Sequence, residues 1–329
     1  MKRILITGAS GFIGTNLLEH FAHKNFDVLN IDFNSPQNSK HNKYWKNIDI
    51  TNAAVLEEQI LNFNPDYVVH LAARTDLDGK TLDDYNANTI GVQNILNTLR
   101  KCKNLKRVIF TSSQLVCKGR MPVNDDDYYT VNLYGESKKL GELIIKNDAN
   151  IPFEWVIIRP TSIWGPWFRE PYRNFFDILL SKKYFHIGNK SATKTYGYVG
   201  NSVYQIEKLL FTDKNKVQNQ IFYIGDQPPY NIEDWANEIA KEVDIKIFKV
   251  PYFFIKMLAL IGDILKKTLN IKFPMTSYRL KNMTTSNTRN VSKIYAIAPE
   301  LPYSRIEGVK ETLNWLKNEN IHNNHRFQQ

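Results

Sequence analysis

Cysteine is scarce in this chain, because Cys102 and Cys117 are the only two among 329 residues. Two cysteines make no disulfide framework, which favours a reducing compartment. The N-terminal residues lack the apolar core and the cleavage site of a signal peptide. The longest apolar run, residues 252–265, is interrupted by Lys256 and Asp263 and is too short to cross a bilayer. We therefore expect a cytoplasmic protein without a transmembrane segment.

Two kinds of ligand site are also missing. No spacing of His, Cys and carboxylate residues is typical of a metal site, so we expect no metal. No block of basic residues is long enough for a nucleic-acid patch, although Lys and Arg number 43 against 33 Asp and Glu. The net charge of +10 indicates either an ordinary solvated surface or a partner that carries phosphate.

What the chain does contain is an alternation of strand-like and helix-like segments. Apolar strand patterns occur at 3–7, 26–32, 66–72, 106–112 and 153–159, with a possible further strand at 44–50. Helical patterns lie between them, at 11–23, 53–63, 84–101 and 131–146. This alternation predicts an α/β fold with a doubly wound parallel sheet.

The pattern loosens after Pro160. Helices are predicted at 198–211, 232–243, 252–269 and 307–319, a strand at 220–224, and a frayed polar tail at 321–329. We therefore assign residues 1–159 to a first domain, with later contributions from about 196–225. Residues 160–329 form mostly a smaller C-terminal lobe.

A glycine motif joins the first predicted strand to the first predicted helix. In the sequence TGASGFIG, Gly8 would make the tight turn, Gly11 would let a pyrophosphate approach, and Gly14 would let the helix pack closely. The helix N-terminus would offer its N–H groups to the phosphates. Asp32, at the end of the next strand, would bind the adenosine ribose and disfavour a 2′-phosphate. The motif predicts a Rossmann domain that binds NAD; alternatively, Asp32 merely caps a turn.

A second motif carries acid–base chemistry. Tyr134 and Lys138 are four residues apart, so on a helix they share one face. A lysine ammonium favours the phenolate form of a nearby tyrosine, which can then exchange a proton with a hydroxyl or carbonyl group. Ser112 and Ser113 end the preceding strand, and a hydroxyl there can bond the same substrate oxygen.

These pieces together resemble the extended short-chain dehydrogenase/reductase family, in its NAD-dependent epimerase/dehydratase branch. The resemblance spans nearly the whole chain and rests on the glycine motif with Asp32, Asp49-Ile50, HLAA at 70–73, NANTIGVQN at 86–94, TSSQLV at 111–116, Tyr134 with Lys138, Arg159-Pro160, and WGP at 164–166.

The resemblance implies a role for each matching residue. Residues that would hold the cofactor are Gly8, Gly11, Phe12, Ile13, Gly14, Asp32, Asp49, Ile50, Leu71, Ala72, Ala73, Asn88, Ser112, Tyr134 and Lys138. Tyr134 would be the acid/base, Lys138 would bond the nicotinamide ribose, and Ser113 would polarise the substrate, with Ser112 as the fallback. A homodimer through helices 84–101 and 131–146 is also implied.

On the substrate side the chain departs from the family. Gln114 and Leu115 stand where dehydratases carry Asp and Glu, which argues against 4,6-dehydration, and Ser162 replaces a substrate-touching Asn. Arginine suits the phosphates of a sugar nucleotide. The candidates for substrate binding are Ser113, Ser162, Arg169, Arg173 and Arg279.

The function that the resemblance implies is epimerisation of a nucleotide-activated sugar through a transient keto sugar. The alternatives are an NAD(P)H-dependent keto-sugar reductase, which uses the same residues, and a non-catalytic NAD(H)-binding regulator. The apolar helix at 252–269 is predicted to be a core or lid helix; the less favoured interpretation is an interfacial helix near a lipid-linked sugar.

Overall fold

The chain divides into two units. The computed structural model describes residues 1–119, 122–269 and 275–326. The first unit comprises residues 1–168, 197–225 and 290–303, and the second comprises 169–196, 226–289 and 304–329.

The first unit alternates strands and helices along the chain. Its strands are β1 (Arg3–Thr7), β2 (Asp27–Asp32), β3 (Trp45–Asn47), β4 (Tyr67–His70), β5 (Arg107–Thr111), β6 (Glu154–Pro160) and β7 (Ser162–Trp164), with β10 (Tyr196–Tyr198) at its border and β11 (Gln220–Ile224) after it. Its helices are α1 (Phe12–His23), α2 (Ala53–Phe63), α3 (Ile90–Leu99), α4 (Leu133–Lys146), α6 (Val199–Phe211), α7 (Lys214–Val217) and α11 (Ser292–Tyr295), with 3₁₀ turns at Ser39–Tyr44, Asp83–Asn88 and Gln114–Val116.

Seven of these strands form one parallel sheet in the order β11-β6-β5-β4-β1-β2-β3. The strand order reverses between β1 and β4, which is where Rossmann folds bind dinucleotides, at the carboxyl ends of the strands. A core of buried aliphatic residues covers one face of the sheet, including Leu5, Val68, Val108 and Ile157. The predicted doubly wound α/β fold is confirmed.

The helix expected at 84–101 is wrong in one respect. Residues 83–88 form a 3₁₀ turn, and the α-helix begins only at Ile90. Tyr85 (φ −109°, ψ 28°) and Thr89 (φ −124°, ψ −72°) depart from helical geometry. The physical reason is Asn88, whose side-chain amide exchanges hydrogen bonds with the backbone of Arg74 and pulls the chain out of a regular helix.

The second unit is built mainly from helices. It contains α5 (Arg173–Leu180), β8 (Phe185–Ile187), β9 (Thr193–Lys194), β12 (Tyr230–Asn231), α8 (Ile232–Glu242), β13 (Phe248–Val250), α9 (Tyr252–Leu269), α10 (Ser277–Thr284) and α12 (Arg305–Arg326). The predicted polar tail is wrong in its first part, because α12 continues to Arg326; residues 327–329 lie outside the described ranges. Among the described residues, no helix is long and apolar enough to cross a membrane.

Candidate cofactor and catalytic site

The turn after β1 has the geometry that a dinucleotide needs. Gly8 has a positive φ of 75°, and a Cβ there would lie 2.5 Å from the backbone nitrogen of Ala72, in the loop after β4. A Cβ on Gly14 would lie 2.3 Å from the carbonyl oxygen of Gly8, so only glycine lets α1 pack this closely. Gly11 precedes α1 and offers no side-chain cap to the first N–H groups of the helix. The residues present therefore fit the pyrophosphate of NAD.

Asp32 lies at the end of β2, across from this turn. Its side chain is buried, and its two oxygens accept the N–H groups of Ser10 (3.0 Å) and Asn34 (2.9 Å). These two hydrogen bonds fix the carboxylate beside the phosphate turn, which fits the role expected of it toward the adenosine ribose.

The start of α4 is set by its cap. The side chain of Asn132 accepts the N–H of Gly135 at 2.8 Å, which begins the helix just before Tyr134. A Cβ on Gly135 would lie 2.6 Å from the carbonyl oxygen of Leu115, so α4 presses against the turn that follows Ser113. Tyr134, only 8% exposed, and Ser113 are therefore held at the two sides of one close backbone contact.

Lys138 is buried one turn after Tyr134. Its ammonium donates to the carbonyl oxygen of Thr111 at 2.8 Å. Burial lowers the pKa of Lys138 to about 8, and the carboxylate of Glu142, one further turn along, opposes that shift. His70, in contact with Thr7 at 2.7 Å, has its pKa lowered to about 3 by burial and by the charge of Lys138. His70 is therefore neutral, as expected of a structural histidine in this strand.

Glu142 completes the buried face of α4. It forms a two-pronged ion pair with Arg159 of β6, at 2.8 Å and 2.6 Å, and both side chains are essentially inaccessible. Tyr128 donates a further hydrogen bond to Glu142 at 2.9 Å. Burial alone would lower the pKa of Arg159, but the hydrogen bonds and charge of Glu142 outweigh it and raise that pKa. The pair fixes α4, and with it Tyr134 and Lys138, against β6.

The two predicted serines differ in their partners. Ser113 accepts the N–H of Leu115 at 3.1 Å, which leaves its hydroxyl hydrogen available for an oxygen of a substrate. Ser112 is buried, and its hydroxyl oxygen makes no hydrogen bond within the described part of the chain. The assignment of Ser113 to the substrate, with Ser112 as the fallback, stays a prediction.

The remaining cofactor candidates surround this edge of the sheet. Leu71, Ala72 and Ala73 follow β4 directly, and the N–H of Leu71 donates to Thr7. Phe12 and Ile13 are half-buried at the start of α1. Farther from β1, the exposed Asp49 accepts the N–H of Thr51. The buried Ile50 packs so closely on Gly91 that a Cβ there would lie 2.5 Å from its Cδ1. The fully buried Asn88 donates to the carbonyl oxygen of Arg74 and to the hydroxyl of Ser137. Their roles toward the cofactor stay predictions.

The arginines expected to bind substrate belong to the second unit. Arg169 and Arg279 are exposed. Arg173 forms ion pairs with Asp177 of its own helix and with Glu319 of α12. The guanidinium of Arg173 therefore helps to hold α5 on α12, and its assignment to a phosphate stays a prediction.

Two residues of this site were missed as candidates in the sequence. Gln114 is buried, donates to Ser162 at 3.1 Å, and has a side-chain oxygen without a hydrogen bond in the described residues. Its signal was the departure from the dehydratase pattern. Glu142 could have been found as the next member of the face shared by Tyr134 and Lys138.

Comparison with known proteins gives this geometry its context. A model of the NAD dependent epimerase/dehydratase family matches residues 4–225. An N-acetyl-alpha-D-glucosaminyl-diphospho-ditrans,octacis-undecaprenol 4-epimerase from Escherichia coli O157:H7 is 29% identical over 322 residues, covering 95% of this chain and 94% of the relative. A decarboxylating sterol-4-alpha-carboxylate 3-dehydrogenase from Candida albicans is 25% identical over 345 residues, covering 96% and 98%.

A solved structure supports the fold. The UDP-glucuronic acid 4-epimerase from Bacillus cereus, in complex with NAD, superposes with a TM-score of 0.73 at 20% identity and covers 96% of this chain and 99% of that chain. The family match extends over more than half of the chain, from β1 to β11. The chain belongs to the NAD dependent epimerase/dehydratase family and is an NAD-dependent enzyme, as its sequence predicts.

Proposed function

We propose that the protein is an NAD-dependent epimerase that acts on an activated sugar by transient oxidation. The observation that carries the proposal is the buried face of α4. Gly135, next to Tyr134, packs against the carbonyl oxygen of Leu115 in the turn after Ser113, and Lys138 donates to Thr111 one turn later. A buried ammonium beside a phenol serves proton exchange with a sugar hydroxyl, which a regulator that only binds NAD does not need.

Residues at the edge of β1, β2 and β4 would hold the cofactor. Gly8, Gly11 and the start of α1 would hold its pyrophosphate, and Asp32 would accept its adenosine ribose hydroxyls. Lys138 would donate to the nicotinamide ribose. When bound there, NAD would supply the hydride acceptor and, after the keto sugar has rotated in the site, the hydride donor.

The side chains of the protein carry the protons. The Tyr134 phenolate oxygen accepts the proton of the sugar hydroxyl while hydride leaves the carbon that bears it. Ser113 donates its hydroxyl hydrogen to the same sugar oxygen and stabilises the carbonyl that forms. Protonated Lys138 favours the phenolate, so its charge prepares Tyr134 to act as a base. Tyr134 returns the proton when hydride adds to the opposite face, and no net oxidation results.

Two substrate classes compete for this site. A nucleotide sugar fits the family, and we place it first. A sugar linked through diphosphate to a polyprenol is the second candidate, because the E. coli relative that covers 95% of this chain is named for such a substrate. Arginine presents a planar guanidinium that can bind phosphate bidentately. Arg169, Arg173 and Arg279 therefore stay the candidate ligands of the diphosphate.

The test begins with the cofactor that purified protein retains. Denatured protein should release NAD⁺ or NADH, because a cofactor regenerated in each cycle need not leave. Sugar nucleotides and a polyprenyl-diphosphate N-acetylhexosamine are then incubated without added cofactor, and the epimeric products are separated. Interconversion supports the proposal and identifies the substrate class. Stoichiometric consumption of NADH or NADPH with a keto sugar would instead identify a reductase.

The acid–base role of Tyr134 is tested by a substitution that removes its hydroxyl. Tyr134→Phe should lower kcat by a factor of about 10² to 10⁴, which is the usual contribution of a general acid–base group. Tyr204→Phe makes the same chemical change on α6 and should leave kcat unchanged. Full activity of Tyr134→Phe would contradict the proposal.

The homodimer stays a prediction. Sedimentation of the same preparations would measure the oligomeric state.

A further inference from the structure

Helix α9 of the second unit has an unusual distribution of side chains. It is anchored by a narrow stripe, in which Ile255 and Ala259 are buried against Ile187 and Leu280. Seven further apolar residues of the helix are 43–66% exposed: Phe253, Phe254, Met257, Leu258, Leu260, Ile261 and Ile264. A surface helix of a globular protein normally shows the reverse arrangement.

The exposed residues form one continuous face. At about 100° per residue, Phe253, Met257, Leu260, Ile261 and Ile264 all fall on the side of the helix opposite the buried stripe. Phe253 is 66% exposed and Ile264 is 60% exposed, although they stand three turns apart. A contiguous apolar face of this length marks a binding surface rather than scattered surface residues. We call these five residues the outer face of α9.

Exposed lysines border one edge of the outer face. At about 100° per residue, Lys256 and Lys267 lie next to Leu260, whereas Lys266 falls on the side of the buried stripe. Asp263, the acid of this helix, accepts the N–H of Ser277 at the start of α10. The five residues of the outer face include no acid, so a second copy of that face offers these lysines no countercharge. An anionic surface matches the lysine border instead.

We propose that the outer face of α9 docks on an anionic lipid membrane. The helix lies in the plane of the interface, with the outer face among the acyl chains and the bordering lysines at the phosphate groups. Four charged residues among its 18 keep it from crossing the bilayer. Tyr278, exposed on α10 next to Ser277, is an aromatic side chain of the kind that favours the headgroup level. The inference stands on this surface alone and holds whichever sugar the enzyme uses.

The test uses the full chain and vesicles of defined composition. Wild-type protein should sediment with phosphatidylcholine vesicles that contain 30% phosphatidylglycerol, and the bound fraction should fall at least tenfold in pure phosphatidylcholine or in 0.5 M salt. Phe253→Glu/Ile264→Glu should lose binding at least tenfold. Val123→Glu introduces a charge at another exposed apolar position, in the first unit, and should bind as wild type does.

A tryptophan variant detects vesicle binding without a charged substitution that could unfold the protein. Phe253→Trp should shift its emission to shorter wavelength when anionic vesicles are added, relative to wild type under the same conditions. Tyr134→Phe should bind vesicles fully, so a failure of the catalytic proposal does not affect this one. No vesicle binding by wild type would overturn the inference. Conversion of a dimer to a monomer by Phe253→Glu/Ile264→Glu, without any vesicle binding, would instead assign the face to a second copy.

Discussion

Helices α4 and α9 break the usual division between core and surface in opposite directions. On α4 the buried face carries Lys138 and Glu142, whereas on α9 the exposed face carries Phe253 and Ile264. Burying charge and exposing apolar surface both cost free energy, and native proteins retain such features mainly where function requires them. This contrast underlies the two functions that we propose, proton transfer on α4 and membrane docking on α9.

The buried charges of α4 differ in how they are compensated. Glu142 and Arg159 neutralise each other through two hydrogen bonds. Lys138 has a carbonyl oxygen as its hydrogen-bond acceptor, and its lowered pKa shows that the fold disfavours its charge. The pair is thus a structural support, and the lysine is the strained group that the support holds in place. Substitutions on the two sides of this distinction should have opposite effects on stability.

The largest loss of stability is expected from Glu142→Gln. The substitution leaves the guanidinium of Arg159 buried without a countercharge, which costs about 3–5 kcal/mol of the free energy of unfolding. Urea denaturation followed by circular dichroism measures this difference. Glu136→Gln, on the exposed side of the same helix, removes an ion pair to Lys139 and should cost less than about 1 kcal/mol. Equal effects of the two variants would show that burial of the Glu142–Arg159 pair is unimportant.

Lys138→Met should act in the opposite direction. Because the pKa of Lys138 falls from 10.5 to about 8, keeping its charge buried costs about 3 kcal/mol below pH 8. This cost shrinks as pH rises from 8 to 10.5. The variant should therefore unfold at an equal or higher temperature at pH 7 while its kcat falls at least a hundredfold.

Lys139→Met is the matched control for that substitution. Its side chain lies at the surface of α4, so both activity and melting temperature should stay close to wild type. A Lys138→Met protein that melts earlier than wild type would mean that the hydrogen bond to Thr111 outweighs the desolvation of the ammonium.

The next effect is a pH dependence that comes from His70. Its pKa is 6.5 in the unfolded chain and about 3 in the fold, so below pH 6.5 the unfolded state binds a proton that the native state does not. Stability therefore falls with pH between 6.5 and 3, by about 2 kcal/mol at pH 5. His70→Asn should flatten the slope measured by urea denaturation from pH 7 to 5. His23→Asn changes an exposed histidine and should leave the slope as it is.

The contrast between the two helices also explains which features the sequence could predict. The glycine turn, Asp32 and the spacing of Tyr134 and Lys138 are local patterns. The fold puts the turn between β1 and α1 and puts Tyr134 and Lys138 on one helix, whereas their roles toward a cofactor or substrate stay predictions. Arg159 and Glu142 are 17 residues apart on different elements, so no spacing announces their contact. Asn88 interrupts a helix through a hydrogen bond to Arg74, which is a tertiary effect that overrides local propensity.

Helix α9 shows a second reason why part of the structure could not be predicted from the sequence. Its sequence is apolar on almost every side, so periodicity alone cannot indicate which side is buried. The structure buries only the short stripe around Ile255 and Ala259 and leaves the wider side exposed. The existence of the helix could be predicted from the sequence, but its orientation depends on the neighbouring elements of the second unit.

The smallest effect is expected on the outer face of α9, and it is the one that tests the comparison most directly. Phe253→Ser and Ile264→Ser should each change the free energy of unfolding by less than about 0.5 kcal/mol, because both side chains are already in water. Ile255→Ala, on the buried stripe of the same helix, should cost about 2 kcal/mol or more. Urea denaturation of the three variants in lipid-free buffer measures the difference. Losses as large for Phe253→Ser as for Ile255→Ala would mean that another part of the protein covers the outer face, and α9 would then be an ordinary core helix rather than the counterpart of α4.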